Sequence, residues 1–373
     1  MENINKILVT GAKGFLGKNL VVELKNRGYE NIFEYDLDTE KPLLNHFTKE
    51  CDFVFHLAGV NRPRDDREFM EGNFGFTSEL LSLLKANNNS APVLVSSSIH
   101  ADKDNPYGLS KKAGEEVIFE YGRVTGSKVY VYRLKNLFGK WSRSNYNSVV
   151  STFCYNIAYD LDIKINDPDF EITLSYIDDV VKAFINAMKV VPSKLGNFCI
   201  IPEEYRITLG NLAKLLYSFR DSRNSLEIPD MSDEFTTKLY STYLSYLPDE
   251  GFSYSLKMNI DSRGSFTEFI KTNERGQVSV NVSKPGITKG NHWHHTKNEK
   301  FLVVNGSGII RFRKIDSGKV IEYNVSGEKL EVVDIPPGYT HNIENSGDTD
   351  MVTIMWASEC FDPEKPDTYY MEV

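Results

Sequence analysis

The chain has 373 residues, 40% of them apolar and 25% charged, with a formal charge of −9. Acidic and basic residues are interspersed, so no basic footprint for nucleic acid is present and the excess negative charge is read as solubility. No apolar run reaches the ~20 residues of a membrane span or makes a signal peptide, and four scattered cysteines without a CxxC pair point to reduced, buried thiols and a cytoplasmic setting.

In chain order, INKILVT (4–10) reads as a buried parallel strand. FLGKNLVVELKNR (15–27) follows with apolar residues at helical spacing, and Gly28 stops it. IFEYD (32–36) and CDFVFHLAG (51–59) are strands, TSELLSLLKANN (77–88) a helix, and PVLVSSSIH (92–100) a strand ending in hydroxyls. A helix over 107–122 and the strand VYVYRL (129–134) continue the alternation. Strands alternating with helices predict a doubly wound parallel sheet of Rossmann type.

The texture changes after about residue 248. Short alternating strands at 277–283, 299–306, 308–315, 319–326, 330–338 and 350–356 are broken by Gly, Asn, Asp and Pro, with no helical period. This predicts an all-β sandwich or barrel. Two domains are therefore expected, 1–247 and 248–373, with the junction in STYLSYLPDEGFS (241–253).

Gly11, Gly14 and Gly17 lie between the first strand and first helix. Glycines there let the backbone approach a pyrophosphate seated on a helix N-terminus. Asp36 ends the second strand, where a carboxylate accepts from ribose hydroxyls and favours NADH; Lys13 is the one nearby cation for a 2′-phosphate. Tyr107 and Lys111 are one helical turn apart, downstream of Ser96, Ser97 and Ser98. A lysine so placed is expected to lower the phenol pKa and tune it for proton transfer at a carbonyl. Alone, the pair reads equally as a surface helix pair. In the second half, His292, His294, Glu299 and His341 form a donor set suited to Zn, Fe, Mn or Ni, against the blander reading of a polar turn.

TGAKGFLG (10–17), HLAGVNRP (56–63), SSS (96–98), YGLSK (107–111), YRLKNLFG (132–139) and SYIDDVV (175–181) resemble the extended short-chain dehydrogenase/reductase family. The resemblance implies Tyr107 as proton donor with Lys111 and a serine, Ser98 before Ser97. It implies a cofactor cradle of Gly11, Lys13, Gly14, Gly17, Asp36 and Ala58, and sugar-nucleotide contacts from Arg133, Asn136 and Asn147. Gly286, His292, His294, Glu299 and Gly306, then Pro336, Gly338, His341 and Asn345, resemble the two cupin motifs, with Leu330 in place of the usual leading glycine. DSRGSFTEF (261–269) and ITKGNHWHH (287–295) are similar to dTDP-4-keto-6-deoxyglucose 3,5-epimerases, which brings in Arg263 as a substrate contact and makes His292 either a general base or a metal ligand.

Both halves in this order resemble the bifunctional enzymes of capsular polysaccharide synthesis. That resemblance implies a homodimer, a divalent metal (zinc first), and NADPH, against which Asp36 argues for NADH. The implied substrate is a UDP-2-acetamido-2,6-dideoxy-4-hexulose, inverted at C3 by the cupin and reduced at C4 to UDP-N-acetyl-6-deoxy-L-talosamine, on the way to UDP-N-acetyl-L-fucosamine. The alternatives are a UDP-sugar 4,6-dehydratase or 4-epimerase holding its NAD tightly, or a non-catalytic sensor of redox state and sugar.

Overall fold

The first strand, β1 (Lys6–Thr10), is almost wholly buried, as a parallel strand covered on both faces must be. The computed structural model describes residues 4–272 and 274–373. Chain order continues through α1 (Phe15–Asn26), β2 (Asn31–Tyr35), α2 (Lys41–Glu50), β3 (Phe53–His56), and a short helix α3 (Arg67–Phe69) that runs through a π turn (Met70–Gly75) into α4 (Phe76–Ala86). Then come β4 (Val93–Ser98), α5 (Pro106–Thr125) and β5 (Val129–Leu134). These five strands pair in parallel in the order β2-β1-β3-β4-β5. The chain passes from α2 straight into β3, so among the described residues β2 is the edge strand and the order reverses between β1 and β3. A reversal of this kind opens a crevice at the carboxyl ends of the two strands.

The rest of this unit contains β6 (Asn136–Phe138), α6 (Val149–Ala158), β7 (Glu171–Tyr176), α7 (Ile177–Ala187), β8 (Lys194–Leu195), β9 (Phe198–Cys199), β10 (Tyr205–Thr208), the start of α8 (Leu209–Ser225), up to Tyr217, and α9 (Glu234–Leu244). β9 and β8 extend the main sheet to seven strands, and β10-β7-β6 form a separate sheet of three. Two apolar clusters flank the main sheet. One includes Ile7, Val9, Leu20, Leu24, Phe55 and Phe184, the other Leu8, Val54, Leu80, Leu84, Val93 and Ile118. Alternate residues of β1 and β3 thus supply opposite faces, the period-2 geometry of a sheet sandwiched by helices.

The second unit is all-β. Its strands are β11 (Asn259–Asp261), β12 (Gly264–Thr272), β13 (Gly276–Ser283), β14 (Thr288–Trp293), β15 (Glu299–Asn305), β16 (Ser307–Lys314), β17 (Val320–Ser326), β18 (Val332–Ile335), β19 (Tyr339–Asn345), β20 (Met351–Ala357) and β21 (Tyr369–Tyr370). They form two antiparallel sheets, β11-β12-β13-β20-β15-β18 and β17-β16-β19-β14-β21, the arrangement of a jelly roll. Phe301, Val303, Ile310, Phe312, Ile335 and Ile343 pack in its core. In β14 the register against β19 shifts between Gly290 and His292, and Asn291 takes φ +59. This is a β-bulge with the extra residue in the left-handed region, which asparagine tolerates.

The two units meet in sequence at Pro248 and Asp249. Ser218–Asp233 groups with the second unit, an excursion that a single break near residue 248 did not anticipate. Its cause is backbone pairing: Ile228 N donates to Lys271 O at 2.9 Å and Lys271 N to Leu226 O at 2.8 Å. Cys51, Cys154 and Cys199 are buried free thiols and Cys360 is half-buried. Among the described residues, no helix is long and apolar enough to cross a membrane.

Candidate functional site

The first site is built at the reversal between β1 and β3. Gly11 follows β1 with φ +68, and a side chain there would lie 2.7 Å from the Ala58 backbone nitrogen after β3. Any side chain at Gly17 would fall 2.0 Å from the Gly11 carbonyl. These close approaches bring α1 against the loop, and α1 begins at Gly14 with no side chain bonded to its first amides. An uncapped helix N-terminus over a glycine turn is an anion cradle, so the residues fit a dinucleotide pyrophosphate. Asp36, just beyond β2, accepts from the amides of Lys13 (2.7 Å) and Leu37 (2.8 Å). The Lys13 ammonium turns to Asp38, so two carboxylates face one cation at the ribose end.

Tyr107 is placed by a helix start. Asn105 caps α5 by accepting from Gly108 N at 2.8 Å, and Pro106 opens the first turn. The Tyr107 ring meets Phe69 edge-on at 5.6 Å, and the Lys111 ammonium lies 6.0 Å from its centroid. Burial raises the phenol pKa, and the neighbouring Ser98 hydroxyl pulls partly against that rise. The expected lowering by Lys111 is absent: the group that opposes the rise is Ser98. Lys111 is itself drawn down to about 8 by burial, opposed by Glu115. Ser97 points elsewhere, donating to Glu115 Oε1 at 2.5 Å.

Arg133, expected at the sugar, is turned inward. It donates to Glu115 at 2.9 and 2.6 Å and to Asp102 at 2.7 Å, and its guanidinium carbon lies 3.9 Å from the Phe198 centroid. Its fork neutralises a carboxylate that is 4% exposed, which makes it a brace between β5 and α5. Asn136 donates to Thr173 O at 3.2 Å, and Asn147 is exposed on the loop before α6.

Two buried polar residues escaped the sequence reading. Asn73, in the π turn, donates to Val60 O and Ser110 Oγ and accepts from Val60 N. A side chain at Gly59 would land 2.9 Å from both its Oδ1 and Lys111 Nζ, which sets Asn73 beside the lysine. His56 ends β3 between Thr10 (2.7 Å) and Thr77 (2.8 Å), and burial lowers its pKa to about 3. Thr77 donates to Asn73 O, so it accepts from His56 Nε2, leaving Nδ1 to accept from Thr10. HLAG carried the signal for His56; only the π turn, invisible to periodicity, explains Asn73.

The second site lies in the jelly roll. One ligand atom each from His292, His294, Glu299 and His341 all fall within 4.8 Å of one another. Glu299 Oε2 is 3.5 Å from Nε2 of both His294 and His341. Among the described residues, His294 Nε2 and both ring nitrogens of His341 are buried without a hydrogen-bond partner. Orphaned nitrogens are costly unless something accepts their lone pairs, so three imidazoles and a carboxylate fit a divalent ion. Burial pushes the Glu299 carboxyl up, but His294, His341 and Lys297 outweigh it and hold it well below the usual range. Lys297 Nζ sits 3.3 Å from Glu299 Oε1. Burial lowers His292 to about 4, so it is neutral near pH 7.

The cluster opens into a cavity of about 730 Å³, whose wall includes His292, Glu299, His341, Arg263, Lys289 and Lys297. Arg263 pairs with Asp261 at 2.6 Å; Lys289, its pKa lowered by burial, donates to Asn281 Oδ1 at 2.8 Å and Val282 O at 2.9 Å. A concave site with cations at its rim and a donor cluster at its floor suits an anionic small molecule.

Residues 7–197 match the NAD dependent epimerase/dehydratase family, and residues 259–369 match the polysaccharide biosynthesis C-terminal domain. The UDP-2-acetamido-2,6-beta-L-arabino-hexul-4-ose reductase of Pseudomonas aeruginosa is 48% identical over 370 residues, 99% of each chain. The capsular polysaccharide assembling protein CapF of Staphylococcus aureus superposes with a TM-score of 0.93 at 55% identity, covering 99% of this chain and 100% of that one. A Bacillus cereus UDP-glucuronic acid 4-epimerase, solved with UDP-glucuronic acid and NAD, shares the fold alone, with a TM-score of 0.55 at 17% identity over 65% of this chain and 98% of that one. The chain therefore belongs to the NAD dependent epimerase/dehydratase family, in the branch with CapF that carries a polysaccharide-biosynthesis domain behind the dinucleotide fold.

Proposed function

We propose that the chain is a bifunctional UDP-sugar enzyme. It inverts C3 of a UDP-2-acetamido-2,6-dideoxy-4-hexulose in the jelly-roll cavity and reduces the C4 ketone at Tyr107, giving UDP-N-acetyl-6-deoxy-L-talosamine. The observation that carries the reading is the partly buried Tyr107 ring with the Lys111 ammonium 6.0 Å from its centroid, in a chain 48% identical to the Pseudomonas reductase over 99% of its length.

Gly11, Gly14 and Gly17 with the N-terminus of α1 would hold the pyrophosphate of a reduced nicotinamide dinucleotide, which would supply the hydride when bound. Tyr107 is protonated at neutral pH because its pKa is raised, so it gives its proton to O4 as C4 is reduced. Ser98 holds the phenol in line, and the Lys111 ammonium stabilises the phenolate left behind. Asn73 and Ser110 fix the first turn of α5 through Ser110 Oγ, which donates to Tyr107 O at 2.8 Å.

In the second site, a C3 proton beside the ketone is acidic because the carbanion delocalises as an enolate. A divalent ion held by His294, Glu299 and His341 would supply Lewis acidity there. The mutual proximity of all four donors favours His292 as a ligand with His294, Glu299 and His341. Its lining of the cavity and its neutral ring support a second reading, in which His292 takes the C3 proton itself. Arg263 and Lys289 bind the diphosphate at the rim.

The test follows both steps by proton NMR in D2O with the 4-keto sugar. Without cofactor, deuterium enters C3; with NAD(P)H, one equivalent of cofactor is consumed per sugar. Catalytic, unconsumed NAD would instead establish the dehydratase or 4-epimerase reading, and absence of both reactions would leave a binding protein.

A further inference from the structure

Asp367 lies in the last seven residues of the chain, on KPDTYY, outside every motif picked out in the sequence. Its Oδ1 accepts from the amide of His295 at 2.9 Å. Its Oδ2 accepts from the amides of Thr296 (2.8 Å) and Lys297 (2.9 Å) and from the Thr296 hydroxyl (3.2 Å). One carboxylate therefore gathers three successive amides of the turn joining β14 to β15, with a metal-site candidate at each end, His294 and Glu299. The Asp367 carbonyl oxygen accepts from Nδ1 of the buried His294 ring. A carbonyl only accepts, so Nδ1 carries the proton and the lone pair is left on Nε2, the orphaned atom facing Glu299.

The same tail is stitched down beside the other ligands. β21 pairs with β14 at His292 and Trp293. Met371 N donates to Asn291 O at 3.0 Å, and Met371 O accepts from Thr340, the neighbour of His341. Arg313 donates to Glu372 O at 2.5 Å.

We propose that Asp367 is a positioning residue for the metal: through its carbonyl it sets the tautomer of His294, and through its carboxylate it sets the reach from His294 to Glu299. The inference rests on the metal reading of the cluster. Outer groups that orient a ligating histidine change metal affinity by roughly 10–100-fold when removed.

The experiment takes the full-length protein with Asp367→Asn and Asp367→Ala. Zinc affinity is read by competition with a chromophoric chelator, and the ring tautomer of His294 by long-range 15N–1H spectra of the metal-free protein. Asp367→Ala keeps the backbone carbonyl and with it the Nδ1–H signature, but loses the carboxylate that gathers the turn and so weakens zinc roughly 10–100-fold; Asp367→Asn, which keeps one accepting oxygen, falls between it and the parent. If Asp367→Ala does not fold, by circular dichroism, Asp367→Asn decides alone. Variants that bind zinc within about twofold of a zinc-binding parent overturn the role of the carboxylate, a parent His294 ring protonated on Nε2 overturns that of the carbonyl, and both leave the metal reading standing. A parent that takes up no zinc brings down both.

Discussion

The Ser97 hydroxyl donates to the buried Glu115 carboxylate at 2.5 Å, while Ser98, the next residue, accepts from the amide of His100 at 3.1 Å and lowers the Tyr107 phenol pKa against its burial. Neighbours on a strand face opposite ways, so one hydroxyl belongs to the brace with Arg133 and the other to the reacting end of α5. Tyr107→Phe is expected to lower kcat for 4-keto reduction by ~10²–10⁴, and Ser98→Ala by ~10². Ser97→Ala instead leaves kcat within a few-fold and lowers the melting temperature of the first unit, since it strips a partner from Glu115. NAD(P)H oxidation followed by absorbance, with thermal melts, separates the two serines.

The Lys111 ammonium titrates near 8, well below its ordinary 10.5. The charged form predominates below that value and is lost as pH rises through it. We expect kcat/KM for reduction to be level below pH 7.5 and to fall tenfold per unit above about 8. In Lys111→Arg the guanidinium stays charged, so whatever activity survives loses this limb. A profile unchanged in the arginine variant would assign the limb to another group.

At the ribose end, Asp36 and Asp38 face the single ammonium of Lys13. This excess of negative charge opposes a 2′-phosphate. Asp36→Asn removes one charge, and the ratio of kcat/KM for NADPH to that for NADH is expected to rise by about tenfold, the equivalent of ~1.4 kcal/mol. A constant ratio would mean that Asp36 acts only on the Lys13 and Leu37 amides.

His292→Ala distinguishes the two readings of the jelly-roll site. As a ligand, its loss weakens zinc binding by at least tenfold, and chelator lowers the melting temperature of the parent far more than that of the variant. As the base, its loss leaves zinc bound and abolishes deuterium entry at C3. Metal content and exchange rate, measured on the same sample, read out both.

The sequence made the parallel sheet and the antiparallel half legible because period-2 runs, helical stripes and glycine turns are local signals. α2 and β6 to β10 went unseen, being short or weakly patterned. Side-chain commitments are not local and lie beyond such signals. Nothing near Arg133 in sequence announces its pairing with Glu115. Lys111 was expected to lower the phenol, yet desolvation depends on Phe69 and the packing of the π turn. The four metal-site donors were recoverable because each sits in one of two matched motifs, whereas Asp367 lies 73 residues from the histidine it serves.

The bulge at Asn291 has a consequence for how this chain tolerates change. With one surplus residue between them, Lys289 and His292 both look into the cavity although an odd number of steps separates them. Removing any single residue from that stretch would restore strict alternation and send one of the two to the outside of the barrel. Length, here, is as selective as chemistry: drift by substitution leaves the interior furnished, while a one-codon deletion turns the strand inside out.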